Sequence, residues 1–396
     1  MGTGRKIILF LSIAFIWSGF SASSLFAQKV RIGLFDNSQV KTLVFNCIDG
    51  QYSVYGDSVL SREIKSGELV YISMMGDKLV LMDGELHFGT FNNLEINESA
   101  ANSSFRLKIV DPIKEPRNYE GDLRISRFHG SIQLVNEVPL DNYLAGVVES
   151  EGGSTALPEF YKAQAILCRS YAIKNWDKHP GQDFNLCDNT HCQAYHGRSD
   201  ENPNIQDAVL ATHGLVLVNS SSELVSAIFH SNSGGETQRA ADVWSSGEDY
   251  LQAVVDPFSE KQRSASWETT ILLEAWKQYL TNHNQNDISK LTNDQLLVKQ
   301  DHRRKFFVVG KDTLRLVDIR ADLNLRSTFF SMELVNDSIV IHGKGYGHGV
   351  GMSQEGAMEM AKQDYSASDI LRFYFYDVNI IELSDVADSE LPEEFR

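Results

Sequence analysis

The chain has only four cysteines among 396 residues, far fewer basic than acidic side chains, and no long apolar run beyond its N-terminal segment. So few cysteines exclude a disulfide scaffold, which needs bridges at high density. The 36 Lys and Arg residues against 53 Asp and Glu give a formal charge of −17, and such a surface repels nucleic acid and anionic lipid. Because no later stretch approaches about 18 consecutive apolar residues, we expect no membrane span after removal of the leader.

The segment 1–27 is typical of a secretory signal peptide. Arg5 and Lys6 precede an apolar run, and Ala27 suits the residue before the cut. Leu25, two residues before Ala27, is less suited to signal-peptidase cleavage. The alternative is therefore that the segment is not cleaved and stays as a membrane anchor. We therefore predict an exported protein.

Two regions of different pattern follow the leader. Residues 28–120 contain short alternating or apolar runs separated by turn residues, which predicts a β-rich N-terminal region. Helical periodicity begins at Pro139, within a second region, 121–384. A helix predicted from about Pro158 has apolar residues on two faces, which is typical of a helix buried between layers.

Two further segments differ from their surroundings. A polar helical insert is predicted at about 267–300, and residues 385–396 form an acidic tail that we expect to be frayed. Together these patterns predict an α+β fold, with central buried helices and a metal-bound loop flanked by antiparallel β-structure, in addition to the β-rich N-terminal region.

The segment from Cys187 to Cys192 concentrates metal-binding side chains. His191 lies between the two thiols, and His179 lies eight residues before Cys187. Thiolate and imidazole are ligands that Zn²⁺ prefers in tetrahedral sites, and a full set of four is typical of structural zinc. We therefore predict a structural zinc held by His179, Cys187, His191 and Cys192. A disulfide between the two cysteines, or two unrelated thiols, are the alternatives.

Glu151 is the first candidate catalytic residue. It continues the apolar stripe of Leu144, Val147 and Val148, at a position where a core residue is due. It also lies on the last turn of its helix, where the helix dipole disfavours negative charge. Burial and dipole would both raise its pKa and favour a carboxyl group that can donate a proton to a leaving oxygen. The alternative is an ordinary helix-end glutamate that points to solvent.

Two glycine-containing loops are candidates for ligand binding. Five alternating glycines surround His348, just before a predicted helix N-cap at Ser353. No G-x-G-x-x-G register and no Gly-Lys-Ser/Thr occurs there, so both nucleotide-binding loops are excluded. A second loop could present the hydroxyls of Ser231 and Ser233, with bare backbone, to a polar ligand.

Five blocks of sequence, taken in order, resemble the stage II sporulation protein D family, which includes the LytB amidase-enhancer proteins. These blocks are 138–151, 162–172, 187–195, 229–235 and 345–357. The resemblance covers about residues 120–380, and five ordered blocks are not expected by chance. One departure is that Gly152-Gly153 follow the glutamate where the family has Met-Pro, which we expect to loosen the loop.

The resemblance implies a lytic transglycosylase that cleaves the MurNAc–GlcNAc β-1,4 bond of peptidoglycan glycan strands and leaves 1,6-anhydro-MurNAc ends. Glu151 stands at the family's catalytic glutamate, and the four predicted zinc ligands match the zinc-site version of the family. A hydrolase would need a second carboxylate. This reaction uses the substrate's own 6-hydroxyl, so that one glutamate acts as acid and then as base. The implied location is periplasmic or cell-wall associated.

We also expect five polar residues to converge on the groove of Glu151 and bind the glycan. They are Arg169, Ser231, Ser233, His348 and Gln354. Arg169 could instead be the buried partner of a carboxylate.

Two rival functions stay open. One is a non-catalytic, glycan-binding enhancer of a cell-wall amidase, which would not need Glu151. The other is a hydrolase with catalytic zinc, which would need three protein ligands and an open position.

Overall fold

The computed structural model describes residues 28–244 and 246–396. The predicted signal peptide lies outside these residues. Strands form most of the regular structure, and the described part of the chain contains eight α-helices, so the α+β class is confirmed. No helix in that part combines the length and the apolar character needed to cross a bilayer.

Twelve strands occupy the N-terminal third of the described chain and belong to two antiparallel arrays. They are β1 (Lys29–Leu34), β2 (Thr42–Asp49), β3 (Gln51–Gly56), β4 (Val59–Lys65), β5 (Leu69–Met75), β6 (Lys78–Asp83), β7 (Leu86–Phe91), β8 (Leu94–Glu98), β9 (Ser104–Asp111), β10 (Arg117–Glu120), β11 (Asp122–Phe128) and β12 (Ser131–Pro139). One array has the order β1-β12-β11-β8-β3-β4 and the other β10-β9-β2-β5-β6-β7.

The two arrays pack face to face through alternating apolar side chains. Tyr52 on β3 contacts Phe45 on β2 and Phe105 on β9 edge-on, with ring centroids 5.3 and 5.6 Å apart. Cys47 lies on the same buried face of β2 and is fully buried. It is therefore a core residue, which the sequence alone did not indicate.

Eight helices follow or interrupt the later strands. They are α1 (Leu140–Gly152), α2 (Pro158–Lys174), α3 (Pro203–Ala211), α4 (Ala240–Val243), α5 (Leu273–His283), α6 (Leu316–Asp322), α7 (Gln354–Lys362) and α8 (Ala367–Tyr374). Helix α2 contacts α1, α3, α7 and α8. Its buried residues lie on several faces and include Cys168.

Ten further strands complete the described chain. They are β13 (Leu186–Cys187), β14 (Leu215–Asn219), β15 (Phe229–His230), β16 (Ser266–Leu272), β17 (Phe306–Val309), β18 (Asp312–Arg315), β19 (Phe330–Val335), β20 (Ser338–Lys344), β21 (Met352–Ser353) and β22 (Val378–Glu382). β13 joins the first array parallel to β1, and β15 pairs with β21, also parallel. Strands β16, β20 and β19 form a separate sheet.

The segment from β16 to β20 has a hydrophobic cluster of its own around Trp276, separate from the main core. The predicted helical insert falls in this segment. It begins with strand β16 and then contains α5.

The acidic tail is ordered, so the expectation of fraying is wrong. Leu391 is buried. The Phe395 ring packs edge-on against Trp176, with centroids 4.8 Å apart. These two apolar side chains attach an otherwise acidic segment to the region just after α2.

Candidate active site and metal centre

Four side chains of the types that bind metals meet beyond the end of α2. They are His179, Cys187, His191 and Cys192, whose ligand atoms all lie within 4.8 Å of one another. His179 Nε2 is 3.3 Å from Cys192 Sγ, and His191 Nδ1 is 3.6 Å from Cys187 Sγ. Both sulfurs are free thiols, so the disulfide alternative does not describe this structure. Two thiols and two imidazoles match the donor set of a tetrahedral zinc site.

The first sheet array and a tight turn hold this cluster together. β13 runs parallel to β1, with Cys187 opposite Gly33. The turn that follows closes on Asn189, whose Oδ1 accepts from the His191 N–H at 2.9 Å. The Asn189 carbonyl accepts from the Cys192 N–H at 3.0 Å. Three of the four ligands are thus fixed by backbone pairing and by one asparagine.

The thiols influence each other's ionisation. The hydrogen bond from Cys192, aided by His191, lowers the pKa of Cys187 to about 4. The same contact raises the pKa of Cys192, because a second thiolate beside the first is repelled. A divalent cation bound by both sulfurs would remove that repulsion, which is how metal binding couples to deprotonation.

Glu151 lies on the last turn of α1, which ends where Gly153 takes a φ of 68°. Its side chain is half-buried, and Oε1 accepts a hydrogen bond from the Ala194 N–H at 2.8 Å. Burial raises the pKa of the Glu151 carboxyl above its usual value, and the Ala194 hydrogen bond offsets part of this effect. The shift has the direction expected from the sequence. Such a carboxyl group keeps its proton to higher pH and is suited to act as a general acid.

The loop that carries Cys187, His191 and Cys192 packs against the C-terminal end of α1. Ala194, which holds the Glu151 carboxyl, comes two residues after Cys192. The His196 N–H donates to Ser150 Oγ at 3.0 Å. The loop therefore links the four candidate metal ligands to the candidate acid, Glu151. Ala194 is not recognisable from the sequence, because a backbone donor carries no side-chain signal.

The glycine-rich loop reaches Glu151 from the far end of the chain. Gln354 Nε2 donates to the Glu151 carbonyl at 3.1 Å, across 203 residues of sequence. Ser353 is the N-cap of α7, as predicted, and its hydroxyl accepts from the Gly356 N–H. Gln354 thus lies at the candidate site.

Ser231 and Ser233 have different surroundings. Ser231 is half-buried, and its carbonyl accepts from the Glu355 N–H at 3.0 Å. Ser233 is fully buried, and its hydroxyl bonds to Asp256 Oδ2 and to Ser259 Oγ, each at 2.7 Å. The prediction that Ser233 binds the glycan is wrong, because that hydroxyl is already used inside the protein. A glycan contact by Ser231 stays a prediction.

His348 packs between two aromatic side chains. Its ring centroid is 5.5 Å from that of His230 and 5.2 Å from that of Trp244. Its Nδ1 accepts from the Val350 N–H at 3.1 Å. Burial lowers the pKa of His348 to about 4, so any substrate contact would involve the neutral ring. Trp244 is 38% exposed, and no sequence pattern had singled it out.

Arg169 lies inside the protein, away from solvent. Its side chain is 2% exposed, and its guanidinium is 2.9 Å from Asp141 Oδ1. It also donates to the carbonyls of Thr212 at 2.7 Å and Leu215 at 3.1 Å. The prediction that Arg169 binds the glycan is wrong, because the guanidinium is buried and both of its terminal nitrogens already donate to protein acceptors. The alternative, a buried partner for a carboxylate, describes the structure.

Comparisons with known proteins place this arrangement in a family. A family model described as stage II sporulation protein matches residues 128–219. The stage II sporulation protein D of Bacillus subtilis is 30% identical over 267 residues, which span 63% of this chain and 76% of that relative. The corresponding protein of Bacillus amyloliquefaciens is 30% identical over 285 residues, or 68% of this chain and 81% of the relative. The chain belongs to the stage II sporulation protein D family.

Membership in the stage II sporulation protein D family confirms the resemblance stated from the sequence. The matched residues 128–219 contain Glu151 and all four metal-binding side chains. An amidase enhancer of Bacillus subtilis is also similar, with 27% identity over 376 residues, which cover 76% of this chain and 50% of that relative. The chain therefore spans about half the length of this second kind of relative.

Proposed function

We propose that the protein is an exported lytic transglycosylase that cleaves the β-1,4 bond between MurNAc and GlcNAc in peptidoglycan glycan strands. The observation that carries the proposal is the half-buried Glu151 carboxyl, with its raised pKa and its single hydrogen bond from the metal-binding loop. Family membership supports a function connected with the cell wall.

One carboxyl group is sufficient for this reaction. Protonated Glu151 donates its proton to the glycosidic oxygen, which leaves as the 4-hydroxyl of GlcNAc while the bond to MurNAc C1 breaks. The Glu151 carboxylate then takes the proton of the MurNAc 6-hydroxyl, and that oxygen closes onto C1. The product carries a 1,6-anhydro ring, no water is consumed, and Glu151 is protonated again. General acid–base catalysis of this kind contributes about 10²–10⁴-fold.

The proposal gives the metal a structural task. His179, Cys187, His191 and Cys192 would hold Zn²⁺, which would neutralise the paired thiolates and fix the loop. Four protein donors leave no open position, so a hydrolase with catalytic zinc is disfavoured. We further propose that residues 121–384, with the buried α2 at their centre, form the catalytic region, and that residues 28–120 form a separate N-terminal region.

A test of the proposal is mass analysis of glycan strands after incubation with the purified, metal-loaded protein in isotopically labelled water. We expect new 1,6-anhydro-MurNAc ends without label. Label at the new end would mean hydrolysis, and a second carboxylate would then have to be sought.

The second candidate is a non-catalytic enhancer of a cell-wall amidase. The observation that favours it is the similarity to the Bacillus subtilis amidase enhancer. In this case the protein would bind strands without cutting them, and Glu151→Gln would leave its effect on an amidase unchanged. Strands that stay intact with the wild-type protein, together with faster amidase turnover, would select this candidate.

A further inference from the structure

A cavity of about 290 Å³ lies between the N-terminal strands and the metal-binding loop. Its walls include Phe35, Lys114 and Arg117 from the N-terminal region, and Ala194 and His196 from the loop. The volume is just below the range of roughly 300–1,000 Å³ for small-molecule sites. It suits one substituent of a sugar better than a whole disaccharide.

The cavity carries excess positive charge in a protein whose formal charge is −17. The Arg117 guanidinium is 2.9 Å from Asp188 Oδ2 and stacks on the Phe35 ring at 4.6 Å. Asp188 is 5% exposed at its side chain and already engaged, since its Oδ2 also accepts from the Phe35 N–H. Lys114 is exposed and forms no ion pair with any carboxylate in residues 28–244 and 246–396. The cavity wall therefore contains two cations, Lys114 and Arg117, and one carboxylate, Asp188, so that the charge of one cation is not compensated.

His196 adds an uncharged polar group to the same wall. Partial burial, followed by the nearby Arg117 charge, lowers the pKa of His196 below its usual value. The ring is therefore neutral at neutral pH and can offer an N–H. Ammonium, guanidinium and a neutral N–H together form the kind of donor set that binds carboxylates.

The cavity adjoins the candidate acid through a shared residue. Ala194 lines the cavity, and its N–H binds the Glu151 carboxyl at 2.8 Å. His196 lines it as well, and its N–H binds Ser150, the neighbour of Glu151. A group seated in the cavity would thus lie beside the bond that Glu151 is proposed to cleave.

We propose that this cavity, with Lys114 and Arg117, binds a carboxylate carried by the MurNAc unit at the cleavage site, an inference that rests on the proposed function. GlcNAc is uncharged, whereas MurNAc bears a lactyl group on its ring. In strands without stem peptides the lactyl carboxylate is free. In strands with stem peptides it is an amide, and the available carboxylates are those of the peptide. The cavity distinguishes MurNAc from GlcNAc and sets the register of the strand.

The test measures strand binding by calorimetry with the metal-loaded protein, in a Glu151→Gln background that prevents turnover. The ligands are strands without stem peptides, strands with stem peptides, and a chitin oligomer of equal length, which has no carboxylate. Lys114→Gln is compared with Lys108→Gln, an exposed lysine on β9. We expect Lys114→Gln to weaken binding of a carboxylate-bearing strand about fivefold at low salt, with chitin binding unchanged and Lys108→Gln without effect.

The outcomes separate the sources of the carboxylate and the two proposals. A loss confined to strands without stem peptides identifies the lactyl group, and a loss confined to peptide-bearing strands identifies the peptide. Equal affinities of Lys114→Gln and the control for every strand would overturn the cavity assignment, as would an equal loss for chitin. Cleavage by the wild-type protein would then still support the proposed function. Failure of all three ligands to bind would overturn both.

Discussion

Two groups of polar residues differ in how fully the described part of the protein uses their hydrogen-bonding capacity. Arg169 and Ser233 each form several hydrogen bonds inside the protein, including those with Asp141 for the arginine and with Asp256 for the serine. Glu151 accepts one hydrogen bond to its carboxyl from the described residues, and the four metal-binding side chains turn their ligand atoms toward one another. Saturated polar groups hold the fold together, whereas groups with unused capacity are the ones available for chemistry.

The largest effect on stability is expected at the four candidate metal ligands. Cys187→Ser or removal of metal by a chelator should lower the free energy of unfolding by several kcal/mol, because metal binding contributes directly to folding in sites of this type. Chemical unfolding with parallel measurement of zinc content checks this. Cys168→Ala, which changes a buried thiol outside the cluster, should keep one zinc per chain. Wild-type protein that contains no zinc after growth with ample zinc would contradict the account.

The saturated ion pair should matter for stability alone. Arg169→Met should lower the free energy of unfolding by about 3–5 kcal/mol, because it removes the buried guanidinium from three backbone carbonyls and from Asp141, which keeps only His213 as a partner. Adding Asp141→Asn should recover part of this loss. Calorimetry on the folded fraction should give an unchanged affinity for strands. A selective loss of strand affinity in a stable Arg169→Met protein would contradict a purely structural role for Arg169.

Ser231 and Ser233 lie in one loop and differ in the same way, since only the hydroxyl of Ser233 is used inside the protein. Ser233→Ala should cost about 1–3 kcal/mol of stability, since it leaves buried partners unsatisfied, and should leave KM unchanged. Ser231→Ala should leave stability unchanged and raise KM a few-fold. Thermal unfolding and steady-state kinetics of both variants provide the check. A stability loss in Ser231→Ala together with a raised KM in Ser233→Ala would contradict these roles of the two serines.

The smallest effect is a pH dependence of stability that comes from Glu151. Its pKa in the folded protein is raised, so the protonated form is favoured by folding. The stabilisation is fully present below the unfolded pKa of about 4.3 and is lost as pH rises through the folded pKa. Urea unfolding of wild type and Glu151→Gln should therefore diverge as pH rises from about 4.3, to the disadvantage of the wild type. Parallel curves would remove the perturbed carboxyl group from the account.

The sequence predicted what short-range patterns control. The strand-rich N-terminal region, helix α1 and the N-cap at Ser353 follow from local periodicity and turn chemistry. The four metal-binding residues lie within one short segment, so their meeting could also be predicted. The direction of the Glu151 pKa shift followed from the position of that residue on its helix.

The rest depended on contacts between distant residues. Arg169 and Asp141 are 28 residues apart, and Ser233 and Asp256 are 23 apart. Nothing in their local sequence indicates that these side chains satisfy each other. The tail was mispredicted for the same reason, because its acidic composition concealed the packing of Phe395 on Trp176.

The central claim is that the Glu151 carboxyl transfers the proton, and a comparison of two glutamates on one helix tests it most directly. Glu149 lies two residues before Glu151 on α1. Its carboxylate accepts from Ser199 Oγ at 2.7 Å and from the Glu201 N–H at 3.2 Å. The measurement is the rate at which 1,6-anhydro ends form with Glu151→Gln and with Glu149→Gln, each metal-loaded and folded. We expect Glu151→Gln to lower this rate by about 10²–10⁴-fold and Glu149→Gln to lower it less than about tenfold. Unchanged cleavage by Glu151→Gln would contradict the account.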